Sequence, residues 1–147
     1  MADIFTKEKR SEVMGKIRAK HTKPEMIVRK YLFSQGFRYR LHQKNLPGSP
    51  DIVLKRYNTA VIINGCFWHG HDACDTFKMP KTRVEFWNAK INRNRERDSN
   101  DFLRLKKLGW KVITVWECEL KKNEKDKTLE NLKENIIHID VKKNMEF

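Results

Sequence analysis

Long hydrophobic runs are missing from this chain of 147 residues: the longest uninterrupted aliphatic stretch is residues 60–63, against the ~18 residues that a membrane-spanning helix needs. No charged-then-apolar leader opens the sequence, so a cytoplasmic protein is expected. Cysteine is scarce and odd in number, three in all, which makes a poor disulfide framework and leaves metal ligation or free thiols as the expected uses. Acidic residues are also in short supply, 19 Asp and Glu facing 32 Lys and Arg. The resulting net charge of +13 points to a polyanionic partner, with nucleic acid favoured over a merely solubilising surface. Apolar side chains are not among the deficits: four Trp and eight Phe are enough to build a core and exclude disorder as the main state.

The positive excess is +8 in residues 1–50, +3 in 51–100 and +2 in 101–147. Residues 7–20 (KEKRSEVMGKIRAK) are compatible with a helix but offer only Val13, Met14 and Ile17 as apolar content, too little for a buried face. They read as a basic arm, residues 1–21, ahead of one domain, residues 22–147. In that domain Thr22, Pro24 and Glu25 stand at capping-box spacing, and Ile27, Val28, Tyr31 and Leu32 form a helical stripe that Gly36 ends. Alternation over residues 37–41 predicts a strand with one wet face. Two apolar runs, 51–54 and 60–63, predict adjacent strands joined through the turn KRYNT.

Thr82 to Glu85 repeats the capping pattern and predicts a helix to about Leu108, broken in two around residues 92–94. Residues 110–117 (WKVITVWE) predict a strand with Trp110 and Trp116 in the core, and Leu129, Leu132 and Ile136 mark a final helix over 126–137. The fold expected is α/β, a single domain with a central mixed sheet flanked by helices. No apolar stripe is spare for self-association, so a monomer is expected.

If the strands before Cys66 and Cys118 are parallel neighbours, their carboxyl ends bring those two cysteines together with His71 and Cys74 of the intervening loop. Three thiolates and one imidazole make the closed tetrahedral shell of structural Zn²⁺, one ion per chain. His69 is the alternative ligand; assigning His71 frees His69 for chemistry. Ordinary buried thiols and a loop histidine are the plain alternative.

Pro50-Asp51 entering one strand, with a second strand across a turn, resembles the opening of the PD…(D/E)xK nuclease pattern, in which acidic groups hold Mg²⁺ beside a phosphate. The second acid and the lysine of that pattern fall at Ile62 and Asn64, which cannot serve. A catalytic reading therefore needs Asp51 and a main-chain carbonyl near Ile63 for the metal, and His69 as base, because an imidazole titrates near neutral pH. Asp98 can orient that imidazole and stabilise its protonated form. A turn role for Asp51 and an ion pair for Asp98 with its neighbouring arginines are the bland readings.

The segments LPGSPDIVL, VIINGCFWHGHDAC, TRVEFW, RERD and LGWKVITVWECEL, in this order and spacing, closely resemble the very short patch repair (Vsr) mismatch endonucleases from residue 1 through Cys118. The resemblance implies a nuclease-like fold, bacterial and nucleoid-associated, that nicks one strand 5′ to the T of a T·G mismatch left by deamination of 5-methylcytosine. It implies Asp51 and the Ile63 carbonyl on Mg²⁺, His69 as base, Asp98 behind it, and Glu25 in an outer shell. It implies zinc on Cys66, His71, Cys74 and Cys118, with one residue more between His71 and Cys74 than the family's better-known form. Asn64 stands where that form has His.

A T·G wobble pair stacks poorly, so a reader gains by prying the stack open. Phe67, Trp68 and Trp87 are the candidate wedges, with core packing the ordinary reading of Phe67 and Trp68; the resemblance implies that all three enter from the major groove and Met14 from the minor groove. By the same resemblance Lys90 and Asn94 would hydrogen-bond the wobble pair, and the MutL mismatch-repair protein and a repair polymerase would be partners. A zinc-stapled protein that grips distorted DNA without cutting, and a restriction-type endonuclease acting on intact duplex, are the competing functions.

Overall fold

The computed structural model describes residues 22–71, 74 and 78–138. The arm expected over residues 1–21, including Met14, lies outside the described residues. Helix α1 (Lys23–Ser34) is followed by strands β1 (Arg40–Leu41), β2 (Ile52–Leu54) and β3 (Thr59–Asn64), helix α2 (Val84–Lys107), strand β4 (Lys111–Trp116) and helix α3 (Lys125–Ile137). The sheet order is β1-β2-β3-β4, with the first two pairings antiparallel and β3 parallel to β4. This is the mixed-sheet α/β domain that the periodicities predict.

Register explains how one sheet serves two layers. Ile52 pairs with Val61 and Val61 with Ile113, so these three side chains share a face. That face carries Leu54, Ile63 and Val115 and packs with Val28 and Leu32 of α1 and Leu129, Leu132 and Ile136 of α3 in one core cluster. Val53 and Ala60 are buried outside that cluster, as are Ile91 and Leu105 of α2, which packs on β4. Lys111, at the start of β4, donates to the carbonyls of Asn135, Ile136 (3.0 Å) and His138 (2.9 Å), closing the C-terminus of α3.

Local expectations fail at several places, the Thr22–Glu25 capping box of α1 among them, since Thr22 makes no side-chain cap bond. The strand predicted over 37–41 is paired only at Arg40 and Leu41, because Phe37 turns into the core and meets Tyr57 edge to face at 5.4 Å. Thr82 does not cap α2: the chain enters through Arg83 in the left-handed region (φ 52°) rather than in the extended conformation a capping side chain needs. The predicted break at 92–94 is absent, since Asn94 sends its carboxamide to the Trp68 carbonyl instead of competing for its own helix. Trp110 and Trp116 are half-buried, not core, because β4 is an edge strand.

Candidate active site and metal cluster

Parallel pairing puts Asn64 beside Trp116 at the carboxyl ends of β3 and β4, so the cysteine two residues past each lies at the same end of the sheet. The loop between them is wound by His69 N–H to Gly65 O (3.2 Å) and His71 N–H to Cys66 O (2.9 Å). As a result His71 Nδ1 sits 3.6 Å from Cys66 Sγ and 3.4 Å from Cys118 Sγ, and the ligand atoms of Cys66, His71, Cys74 and Cys118 all lie within 4.8 Å of one another. A tetrahedral ion with Zn–S of about 2.3 Å and Zn–N of about 2.0–2.1 Å has an N···S edge of about 3.6 Å. The four side chains could hold a metal ion, and the two His71–Cys separations already match that edge.

Burial, with the neighbouring thiols, pushes the Cys66 thiol up to about 12, and burial likewise raises Cys118. Thiols so raised stay protonated at neutral pH unless a cation takes the protons' place. Trp116 backs the cluster, its ring stacked on His71 at 4.0 Å and 7°. The Cys66 N–H approaches Glu117 Oε1 at 3.4 Å.

Three consecutive residues of the same loop are held by one face of α2. Asn94 Nδ2 donates to the Trp68 carbonyl (2.8 Å), His69 Nδ1 meets Asp98 Oδ2 (2.5 Å), and Arg95 donates through Nε (3.1 Å) and Nη2 (2.5 Å) to the Gly70 carbonyl. Positions 94, 95 and 98 fall on adjacent helix rows, which is why they reach successive loop residues. Gly70 has φ +58°, and a Cβ there would collide with the Arg95 guanidinium and with Ile91 Cγ2 at 2.5 Å. Only glycine fits beneath that arginine.

Asp51 follows the buried Pro50 and accepts from the Ile63 N–H through Oδ2 at 2.8 Å. Burial is the main reason its carboxyl stands above the ordinary range, opposed by the Ile63 N–H, reinforced by Glu25 and countered by His42 and His69. Of the two rings His42 is the nearer partner of this carboxyl, and His69 contributes a smaller pull in the same direction. Glu25 is 2% exposed and its carboxylate meets His42 Nε2 at 2.8 Å and Arg29 Nη1 at 3.2 Å, not the helix cap that its spacing promised. The ligand atoms of Glu25, His42 and Asp51 lie within 4.8 Å of one another.

Sequence reasoning missed His42, which follows the β1 alternation and reads as the first loop residue. The signal that could have found it is the β1–β2 pairing, which sets residue 42 against residue 51: its N–H donates to Asp51 O at 3.1 Å.

The candidate wedges form one half-buried aromatic cluster. Phe67 meets Trp68 at 5.1 Å and Trp87 at 5.3 Å, Trp68 and Trp87 are 6.0 Å apart, and Phe86, 41% exposed, extends the group against Trp87 at 5.1 Å. Lys90 places its ammonium over the Trp68 ring at 5.6 Å. Asn94 is buried, with its amide nitrogen already committed to Trp68.

The family profile of DNA mismatch endonuclease Vsr matches residues 2–75. Over 125 residues the chain is 45% identical to the DNA mismatch endonuclease Vsr of Escherichia coli strain K12, covering 85% of this chain and 80% of that one. The chain belongs to the Vsr family of DNA mismatch endonucleases. The chain is also similar to the type II nicking enzyme V.NmeAIP of Neisseria meningitidis serogroup A, 57% identical with 82% and 86% of the two chains covered, and to the type II nicking enzyme V.XorIIP of Xanthomonas oryzae, 45% identical with 82% and 88% covered. As a Vsr-family protein it is an endonuclease with DNA as its substrate. Among the described residues no helix is long and apolar enough to cross a membrane.

Proposed function

We propose that this Vsr-family enzyme nicks one strand 5′ to the T of a T·G mismatch in a Mg²⁺-dependent hydrolysis, on a PD-(D/E)XK-like arrangement of β2 and β3. The observation that carries the reading is the His69–Asp98 contact of 2.5 Å, with the His69 ring felt electrostatically by the Asp51 carboxyl. Asp98 holds Nδ1 of the ring and leaves Nε2 to take the proton of the attacking water, with the protonated ring stabilised by the carboxylate behind it. Asp51, with the Ile63 carbonyl and with Glu25 behind, offers the hard oxygen ligands that Mg²⁺ prefers. Once bound there, Mg²⁺ would supply neutralisation of the charge that develops on the scissile phosphate.

Zn²⁺ on Cys66, His71, Cys74 and Cys118 would fix the loop that carries His69. Phe67, Trp68 and Trp87 would enter the poorly stacked step from the major groove with Met14 from the minor groove, and Lys90 would meet the wobble pair. Asn94 would reach that pair through its carboxamide oxygen or its second amide hydrogen, the first being committed to the Trp68 carbonyl. The basic residues of the 1–21 arm would clamp phosphates. A monomer on DNA in the bacterial nucleoid, handing its nick to MutL and a repair polymerase, completes the proposal.

Matched T·A and mismatched T·G duplexes incubated with Mg²⁺ separate the alternatives. A nick confined to the T·G duplex and abolished in Asp51→Ala supports the reading. Cutting of the matched duplex indicates a restriction-type enzyme, and binding without a nick at any Mg²⁺ concentration leaves only a protein that grips distorted DNA.

A further inference from the structure

Two carboxylates and an imidazole converge from three separate elements at the centre assigned above to the cation: Glu25 from α1, His42 from the end of β1 and Asp51 from the start of β2. Building on that assignment, we infer that His42 is a nitrogen ligand of the cation, so that the centre is a mixed nitrogen and oxygen site that takes Mn²⁺ in preference to Mg²⁺.

The ring is placed by the backbone. His42 adopts φ 46°, in the left-handed region, and its N–H donates to the Asp51 carbonyl at 3.1 Å, which locks residue 42 directly across from residue 51. Histidine is among the residues that tolerate that conformation without glycine. Its side chain is 10% exposed and that of Glu25 3%. Glu25 Oε1 meets Nε2 of that ring at 2.8 Å, so the carboxylate holds the imidazole in place.

Chemistry selects the ion. Mg²⁺ demands a near-ideal octahedron of oxygens and dehydrates reluctantly, whereas imidazole donors suit first-row transition metals, and Mn²⁺ accepts carboxylate and imidazole together. Glu25, which also pairs with Arg29 at 3.2 Å, supports the ring from behind, so the nitrogen of His42 and the oxygen of Asp51 are the donors offered to the ion.

The test uses the full chain with the cysteine cluster loaded with Zn²⁺, so that His71 is occupied. Mn²⁺ is titrated and its bound fraction counted by electron paramagnetic resonance, and the electron spin echo of bound Mn²⁺ is read for ¹⁴N modulation. The expected result is one strong Mn²⁺ site with ¹⁴N coupling, binding tighter than Mg²⁺ by ~10-fold or more in competition, since an imidazole donor favours a first-row transition metal over Mg²⁺. In His42→Gln, which keeps a hydrogen-bond donor toward Glu25, the coupling disappears and Mn²⁺ affinity falls ~10-fold. Bound Mn²⁺ without ¹⁴N coupling in the wild type overturns the inference, whatever the variant does. So does coupling that survives in His42→Gln. If, in either of those cases, Asp51→Asn still removes Mn²⁺ binding, the cation site stands and only the role of His42 falls. Absence of Mn²⁺ binding, or binding indifferent to Asp51→Asn, removes the cation site itself.

Discussion

Asp51 illustrates how a single side chain is held against its own preference. Its carboxyl is raised above the ordinary value of 3.8, chiefly by burial, so the native state binds the proton more tightly than the unfolded chain does. The resulting stabilisation is complete below the ordinary aspartate range and is lost as pH rises through the native value. Above that window the ionised group costs stability, which a divalent cation bound there would offset. Asp51→Asn is therefore expected to abolish nicking yet raise the melting temperature of cation-free protein by a few degrees at about pH 7, with the gain vanishing near about pH 3. Melting scans at the two pH values with a divalent chelator present check it, and a lower melting temperature for the variant at about pH 7 would reverse the sign argued here. His69→Ala is expected to lower the nicking rate by at least ~10²-fold, in the range that a positioned base contributes, while leaving affinity for T·G duplex within a few-fold. Single-turnover cleavage and a binding titration on the same preparation separate the two effects.

At the scale of elements, α2 decides more of the site than any loop does. The bidentate clamp of Arg95 on the Gly70 carbonyl lies one residue from His69, so Arg95→Ala should slow single-turnover nicking ~10-fold or more with little change in DNA affinity, while Arg95→Lys restores part of the rate. Gly70→Ala should be more damaging than Arg95→Ala, because the new Cβ meets both the guanidinium and Ile91. Lys111→Met should cost about 1–2 kcal/mol of stability by freeing the three carbonyls at the end of α3, read from denaturant midpoints at unchanged slope.

What the sequence made legible at this scale is uneven for a physical reason. The paired strands β2 and β3 and the stripe of α3 follow from periodicity, which burial enforces directly. The Cys66–His71–Cys74–Cys118 gathering follows from parallel pairing, which the sequence left as a condition and the β3–β4 register meets. The Glu25–His42 contact joins residues 17 apart with no periodic signature, and it drew away the carboxylate that local spacing assigned to a helix cap. Phe86 escaped notice because an exposed aromatic on a polar helix face has no pattern to betray it. Tertiary partners overrode local propensity at Thr82 and Asn94 in the same way.

For the whole molecule, charge and metal set the conditions of work. A chain of net charge +13 that neutralises backbone phosphates should bind DNA with a logarithmic salt slope of roughly −0.9 per phosphate contacted, and deletion of residues 1–21 should make that slope shallower while the described domain stays folded. A slope unchanged by the deletion would place the phosphate contacts elsewhere on the domain. Removal of the cluster metal by a strong chelator should release one ion per chain and lower the melting temperature markedly, since structural zinc contributes ~10 kcal/mol or more in zinc-finger peptides. Elemental analysis before and after chelation, beside a melting scan, decides the point.

The grip of α2 on residues 68, 69 and 70 has a mechanical corollary. Trp68 and His69 are neighbours in the chain and ride on the same rigid rod, so neither can be displaced without carrying the other along. With Trp68 as wedge and His69 as base, as proposed, testing how firmly two bases are stacked and aligning an imidazole for strand scission would be a single movement. Selectivity would then be exercised at the instant of seating, and a duplex that refuses the indole would never be offered the proton acceptor.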